Sequence, residues 1–222
     1  GDISLNIKNS DRNAYIVKYN TSGDAQWARC FGANGFAAVT ATTISTDSNR
    51  NVYVGGSFQG NVDISGDISL NNTSSFNDAF LVKYDTNGVA QWARSFAGDT
   101  IFGLVNDSNG NIYMTGTYRR DMTIPTNGGD TTLTNNYGGR DAFIMKYDTN
   151  GNALWAKEFG DNNADYPDWG QAIALDLNEN VYVTGYFAGN VTFGTNVSIA
   201  TNVASHQAVV VKYDTNGVAQ WA

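Results

Sequence analysis

The chain has 222 residues, with 13 basic and 21 acidic side chains and a formal charge of −8. Only 15% of residues are charged, 13% are aromatic, and 24 glycines stand against two prolines, which excludes a disordered chain, rich in charge and poor in aromatics. No apolar run approaches the roughly 20 residues of a membrane span, and the acidic balance argues against a nucleic-acid partner, which needs a basic stripe.

In chain order, one pattern returns again and again. Residues 1–5, Gly-Asp-Ile-Ser-Leu, recur unchanged at 66–70, so the chain enters in the middle of a unit. The block Lys18-Tyr19-Asn20-Thr21-Ser22-Gly23, followed by Gln26-Trp27-Ala28, returns at 83–93, 146–156 and 212–222, with spacings of 65, 63 and 66 residues between Trp27, Trp92, Trp155 and Trp221. A second block, Asn51-Val52-Tyr53-Val54-Gly55-Gly56, returns at 111–116 and 180–185. Self-similarity at such a period marks a repeat architecture.

Each unit reads as four strands. The first is expected at 41–46, 103–106 and 171–175, the second in the Val-Tyr-Val block, the third at 78–84, 141–147 and 207–213, and the fourth at 90–96 and its equivalents. A longer connection, for example from Asn61 to Leu70 or from Asn190 to Ile199, separates second and third strands. The segments are short, rich in Val, Ile, Tyr, Phe and Thr, and bounded by Gly, Asn and Asp, with no helical period. Gly23, Gly88, Gly151 and Gly217 close Asp-Thr-Asn-Gly-type turns, where φ must be positive. The continuous apolar runs Ala79-Phe80-Leu81-Val82 and Val209-Val210-Val211 fit strands buried on both faces.

Four-stranded antiparallel units of about 65 residues that cannot cover their own faces stack as the blades of a β-propeller. The fold class is therefore all-β, with a half blade at 1–32 (strands three and four) and blades at 33–96, 97–160 and 161–222, fourteen strands in all. Propellers close with about four to eight blades, so the expectation is a portion of a larger ring of about seven, completed by a longer chain or by other subunits. No charged and apolar leader precedes the pattern, so any targeting signal is expected to be absent or removed. The single Cys30 makes no intrachain disulfide.

The motif Asp-Ala-Phe-Leu-Val-Lys-Tyr-Asp-Thr-Asn-Gly at 78–88, followed by Gln-Trp-Ala-Arg at 91–94, together with the Asn-Val-Tyr-Val-Thr-Gly-x-Phe run at 180–187, resembles the SBBP-type β-propeller repeat. Asn20 in place of Asp, and His206-Gln207-Ala208 in place of Asp-Ala, depart from it. That resemblance implies a secreted or surface scaffold without shared catalytic residues. Asp85-x-x-Gly88-x-x-x-Trp92 is similar, more loosely, to the tryptophan-docking repeat of quinoprotein dehydrogenases and their scaffold relatives. It implies that Trp27, Trp92, Trp155 and Trp221 wedge between blades.

Candidate chemistry is sparse. The turns at Asp47, Asp107 and Asp176 begin like a calcium loop but lack its downstream acidic ligand, and Asx-turn bonding accounts for them without metal. Lys18, Lys83, Lys146 and Lys212 are expected to pair with a repeated carboxylate such as Asp78 or Asp141, or to guard an edge. His206 stands beside no nucleophile signature, and no two-His metal spacing occurs. Irregular loops carry specificity on repeat scaffolds, and the loop at 160–170 is longer than its counterpart at 97–100 and adds an extra tryptophan. Asp165, Tyr166, Asp168 and Trp169 are its candidate ligand residues, an aromatic platform with carboxylates suited to a carbohydrate. Glycosylation sequons stand at Asn20, Asn71, Asn72, Asn106, Asn190 and Asn196, and the 28 asparagines give a polar surface of low charge.

The leading reading is a non-enzymatic surface or secreted propeller for adhesion, recognition or assembly, of which a virion or filament component is one version. A carbohydrate-binding propeller is the alternative, and a quinoprotein-like or glycosidic enzyme comes third. Its partners are a protein or a glycan at a surface.

Overall fold

A computed structural model describes residues 3–5, 10–33, 35–72, 74–135, 139–160, 166–194, 196–201 and 205–222. Among the described residues every regular element is a strand. The half blade comprises β1 (Ser10–Arg12), β2 (Ala14–Tyr19) and β3 (Ala25–Ala33). The first full blade holds β4 (Gly35–Thr46), β5 (Val52–Phe58), β6 (Gly60–Ser65), β7 (Ile68–Asn72), β8 (Asp78–Tyr84) and β9 (Ala90–Phe96). The second holds β10 (Gly98–Asn106), β11 (Ile112–Tyr118), β12 (Met122–Thr126), β13 (Gly129–Leu133), β14 (Asp141–Tyr147) and β15 (Ala153–Phe159). The third holds β16 (Trp169–Leu175), β17 (Val181–Phe187), β18 (Val191–Thr192), β19 (Ser198–Ile199), β20 (Gln207–Tyr213) and β21 (Ala219–Trp221).

The blade sheets run β4-β5-β8-β9, β10-β11-β14-β15 and β16-β17-β20-β21, each an antiparallel four-stranded meander. These are propeller blades. Their first strands abut in series, β4 on β10 and β10 on β16. β1 adds a short parallel pairing to β4.

Two features differ from the sequence reading. The first strands start earlier than the alternating pattern suggests, at Gly35, Gly98 and Trp169, because a register shift interrupts each one, between Ala41 and Thr43, Ile101 and Gly103, and Gly170 and Ala172. An extra residue breaks the period of two and hides the first half of the strand. The connections between second and third strands are themselves hairpins, β6-β7, β12-β13 and β18-β19. Their apolar residues alternate inward, Val62, Ile64 and Leu70 in one and Met122, Ile124 and Leu133 in the next. The β6 hairpin also joins the fourth strand of the preceding unit, pairing Val62 with Ala33 and Asp63 with Gly32.

The core lies between blades rather than within them. Ala14 and Ile16 pack with Val52, Val54, Phe80, Val82 and Tyr84 at the first junction. Tyr53, Ala79 and Leu81 pack with Ile112, Met114, Phe143, Met145 and Tyr147 at the second. Tyr113, Ala142 and Ile144 pack with Val181, Val183, Val209, Val211 and Tyr213 at the third. A strand with neighbours on both faces has no polar side to alternate with, which explains the continuous apolar runs.

The turns between first and second strands place their fourth residue in the left-handed region. Gly110 fills that position at φ 83°, but Arg50 and Glu179 occupy it at 64° and 61°. A residue with a Cβ is strained there by about 1–2 kcal/mol. Arg50 is exposed, so Arg50→Gly should raise the unfolding free energy by about 0.5–1 kcal/mol after glycine's larger chain entropy is subtracted. Urea unfolding with an unchanged m value is the check.

Candidate functional site

At one end of each blade the third-strand lysine lies between the second-strand tyrosine and the fourth-strand tryptophan. The pairings are Tyr53–Lys83–Trp92, Tyr113–Lys146–Trp155 and Tyr182–Lys212–Trp221. From this row the chain reaches into the next blade. Trp27 Nε1 and Lys18 Nζ both donate to the carbonyl of Thr86, each at 3.0 Å. Trp92 Nε1 and Lys83 Nζ donate to the carbonyl of Thr149 at 3.2 and 2.9 Å. Trp155 Nε1 donates to the carbonyl of Thr215 at 3.2 Å.

The arginine two residues beyond the tryptophan completes the clasp. Arg29 donates to the carbonyls of Gly88 and Asn87 at 2.6 and 3.0 Å, and Arg94 to those of Gly151 and Asn150 at 2.9 and 3.2 Å. The tryptophan ring lies flush on the turn glycine: a Cβ on Gly88, Gly151 or Gly217 would stand 2.7, 3.1 or 3.0 Å from Trp27, Trp92 or Trp155. These glycines have φ of 73°, 78° and 76°, so both backbone and space demand glycine. Gly23 has the same conformation, at φ 84°, with nothing within 4 Å of a Cβ. Trp221 is exposed and meets Tyr182 edge-on.

The lysines do not pair with Asp78 or Asp141, which corrects the sequence reading. Those carboxylates begin the third strand, five residues before the lysine and thus about 17 Å from it at roughly 3.3 Å per residue. Lys146 and Lys212 instead face the turn carboxylates Asp107 and Asp176 at 3.6 and 3.9 Å, and Asp78 pairs with Arg120. Asp107 and Asp176 hold their own loops: the first carboxylate oxygen accepts two backbone N–H groups, and the second accepts from Asn111 or Asn180. Asp47 likewise takes the backbone and side-chain N–H of Asn51 and the Tyr53 hydroxyl. Among the described residues no three His, Cys, Asp or Glu side chains gather as a metal would require.

The non-repeated residues collect at the opposite end of the blades. Trp169 opens β16 and pairs across to Tyr186 at the end of β17. Its ring is stacked between Phe102, at 5.2 Å and 28°, and Tyr186, at 5.6 Å and 27°, with the Arg140 guanidinium 5.5 Å from its centroid. Both faces of Trp169 are thus covered, and its buried Nε1 has no hydrogen-bond partner. Exposed His206 stands edge-on to Tyr186 at 5.3 Å and to Tyr166 at 6.0 Å. Asp168 is wholly buried: its carboxylate accepts from the Ala188 backbone, and its own N–H donates to the Arg140 carbonyl. It ties one blade to the next and is closed to a ligand. Asp165 lies outside the described residues.

Beside this stack, buried Asp99 accepts from Arg119 and Arg140, and Phe76 lies under Arg119 and Arg120. Three of the chain's seven arginines therefore meet two carboxylates, Asp78 and Asp99, on one face. Sequence reasoning missed Phe102, Tyr186, Arg140 and Asp99. Phe102 had a signal, since the matching bulge positions are Thr42 and Gln171. Of the sequon asparagines, Asn72 is buried, its amide held by the Phe76 carbonyl and the Ser74 N–H.

The turn carboxylates also set a pH dependence. Burial pushes Asp148 upward, but bonds from the Asn152 backbone and side chain and from Asn150 outweigh it and hold the carboxyl below the ordinary range. A depressed folded value means the stabilisation is complete above the ordinary carboxylate pKa of about 3.9 and is lost as pH falls through it. The urea midpoint should stay level from neutrality to about pH 5 and fall below about pH 4, and Asp148→Asn should flatten that fall.

Comparison with known proteins places the motif. The beta-propeller repeat model, SBBP, matches residues 154–186, which run from the fourth strand of the second blade through the second strand of the third. An uncharacterised WD repeat-containing protein of Acanthamoeba polyphaga mimivirus is 31% identical over 184 residues, covering 70% of this chain and 13% of that protein. The regulatory protein FlaEY of Caulobacter vibrioides is 30% identical over 154 residues, covering 65% of this chain and 15% of that protein. The chain thus spans about an eighth to a seventh of the length of these relatives.

Proposed function

We propose that this array of SBBP-type propeller blades is a non-catalytic scaffold, secreted or held at a surface, that offers the face around Trp169 to a protein partner. One observation carries the reading. The recurring Asp, Lys, Trp, Arg and Gly residues are spent on turns and on blade-to-blade clasps, whereas non-recurring aromatics and arginines gather at the other end of the blades. Aromatic and arginine side chains are the residues enriched at protein interfaces. A relative named for WD repeats and another named as a regulatory protein support a scaffold and binding role. The low-charge, asparagine-rich composition favours the surface or secreted setting.

A carbohydrate reading keeps one specific observation, the Tyr166–His206 edge, because the faces of Trp169 are taken. Catalysis has less support, since the contacts of His206 are the rings of Tyr166 and Tyr186.

Peptide and glycan arrays probed with the chain and with His206→Ala and Tyr166→Ala separate these readings. The scaffold reading expects peptide binding that weakens tenfold or more in the variants, about 1.4 kcal/mol, with no glycan signal. Glycan binding lost in Tyr166→Ala would install the carbohydrate reading, and turnover of glycosides would install the enzyme. Protease treatment of intact source cells tests the setting: a surface protein is cleaved, whereas an enclosed one survives.

A further inference from the structure

Five Asn-Gly bonds fall within the described residues, at 87–88, 109–110, 127–128, 150–151 and 216–217. Four of them belong to the same tripeptide, Thr-Asn-Gly, at 86–88, 126–128, 149–151 and 215–217. Their covalent chemistry is therefore alike, and only the fold tells them apart. At Asn-Gly the following backbone nitrogen can close on the side-chain amide, because glycine has no Cβ to obstruct the approach.

The four bonds in the repeat turns are pinned. The N–H groups of Gly88, Gly110, Gly151 and Gly217 donate to the carbonyls of Asp85, Asp107, Asp148 and Asp214 at 3.0, 3.0, 3.1 and 3.0 Å. The N–H of each preceding asparagine donates to the carboxylate of the same aspartate, at 2.9 to 3.0 Å. All four glycines are buried, and Gly88, Gly151 and Gly217 lie under the tryptophan rings. Arg29 and Arg94 also hold the carbonyls of Asn87 and Asn150. Asn127-Gly128 is placed differently. Both residues are exposed at the tip of the β12-β13 hairpin, between the paired Thr126 and Gly129. The Gly128 N–H points to the Thr126 hydroxyl at 3.3 Å, longer than an ordinary N–H to oxygen bond. A Cβ on Gly128 would meet nothing closer than 3.9 Å, so this backbone is free of neighbours.

We propose that Asn127 is a self-modification site, converting to aspartate and isoaspartate while the repeat-turn asparagines persist. The Gly128 nitrogen gives up its proton and attacks Asn127 Cγ. A C–N bond forms, the Cγ–Nδ2 bond breaks, and ammonia leaves carrying the proton, which closes a cyclic imide. Water then opens the ring. Cleavage at Cγ gives aspartate, and cleavage at the main-chain carbonyl gives isoaspartate, whose backbone runs through the former side chain. One water is consumed and one ammonia released, with no oxidant or reductant. Either product adds negative charge to a chain already at −8. Isoaspartate also lengthens the turn that fixes the register of β12 on β13. In the repeat turns the glycine nitrogen must first leave its carbonyl and its burial, so reaction there waits on local opening.

Incubation of the folded chain in mildly alkaline buffer, followed by peptide mapping with mass spectrometry, tests this. The Asn127 peptide should gain aspartyl and isoaspartyl forms at least about tenfold faster than the peptides of Asn87, Asn109, Asn150 and Asn216, which react only through rare openings. Asn127→Gln should remove the fast product. In denaturing urea the Thr-Asn-Gly sites should react at closely similar rates, because the fold no longer separates them. An Asn127 that survives intact in the folded chain, a repeat-turn asparagine that keeps pace with it, or a rate difference that persists in urea would each overturn the proposal.

Discussion

The fold depends on a tryptophan lying flat on a glycine turn of the next blade. Each four-stranded sheet presents apolar side chains on both faces and cannot be covered by its own residues, so it is stable only with a neighbour on either side. The tryptophan supplies the contact area, and its Nε1, the lysine and the arginine supply hydrogen bonds to carbonyls that the tight turn leaves pointing outward. A charged donor to a carbonyl is worth more than a neutral one. The glycine is needed twice over, for its positive φ and because any Cβ would occupy the space of the ring. Sequence identity among the units is therefore concentrated where one blade touches the next.

The clasp also varies along the array. At the third junction Lys157 replaces the arginine and stands exposed, and Lys146 turns to Asp107 instead of reaching across. The tryptophan bond to Thr215 persists there. That junction is held as well at the far end of the blades, where Arg140 covers Trp169 and the Asp168 N–H donates to the Arg140 carbonyl. The centre of the aromatic stack is thus committed to packing.

The repeat, the four strands per blade and the turn glycines were legible because each obeys a local rule: period two, turn chemistry, fixed spacing. The hairpins β6-β7, β12-β13 and β18-β19 were not, because their short strands alternate too briefly to stand out from a connection. The partners of the lysines were misread for a geometric reason. The spacing from Asp78 to Lys83 says they share a strand but not that five residues of strand put them at opposite ends. The site was only half legible. Trp169 and Tyr166 stood out as departures from the repeat, but the rings that sandwich Trp169 come from a neighbouring blade and from another strand. No spacing rule connects Phe102 to Trp169. Asp168 looked like a ligand carboxylate in sequence and is a buried cap in the structure.

The central claim, that the tryptophan on the turn couples adjacent blades, is tested most directly by urea unfolding of Trp92→Ala beside Trp92→Phe. Loss of the whole ring at an interface of this kind should cost about 3 kcal/mol or more, whereas phenylalanine, which keeps a ring on Gly151 and loses the Nε1 bond to Thr149, should cost about 1 kcal/mol plus a smaller packing loss. A Trp92→Ala cost within about 0.5 kcal/mol of zero, the range of an ordinary surface substitution, would contradict the account.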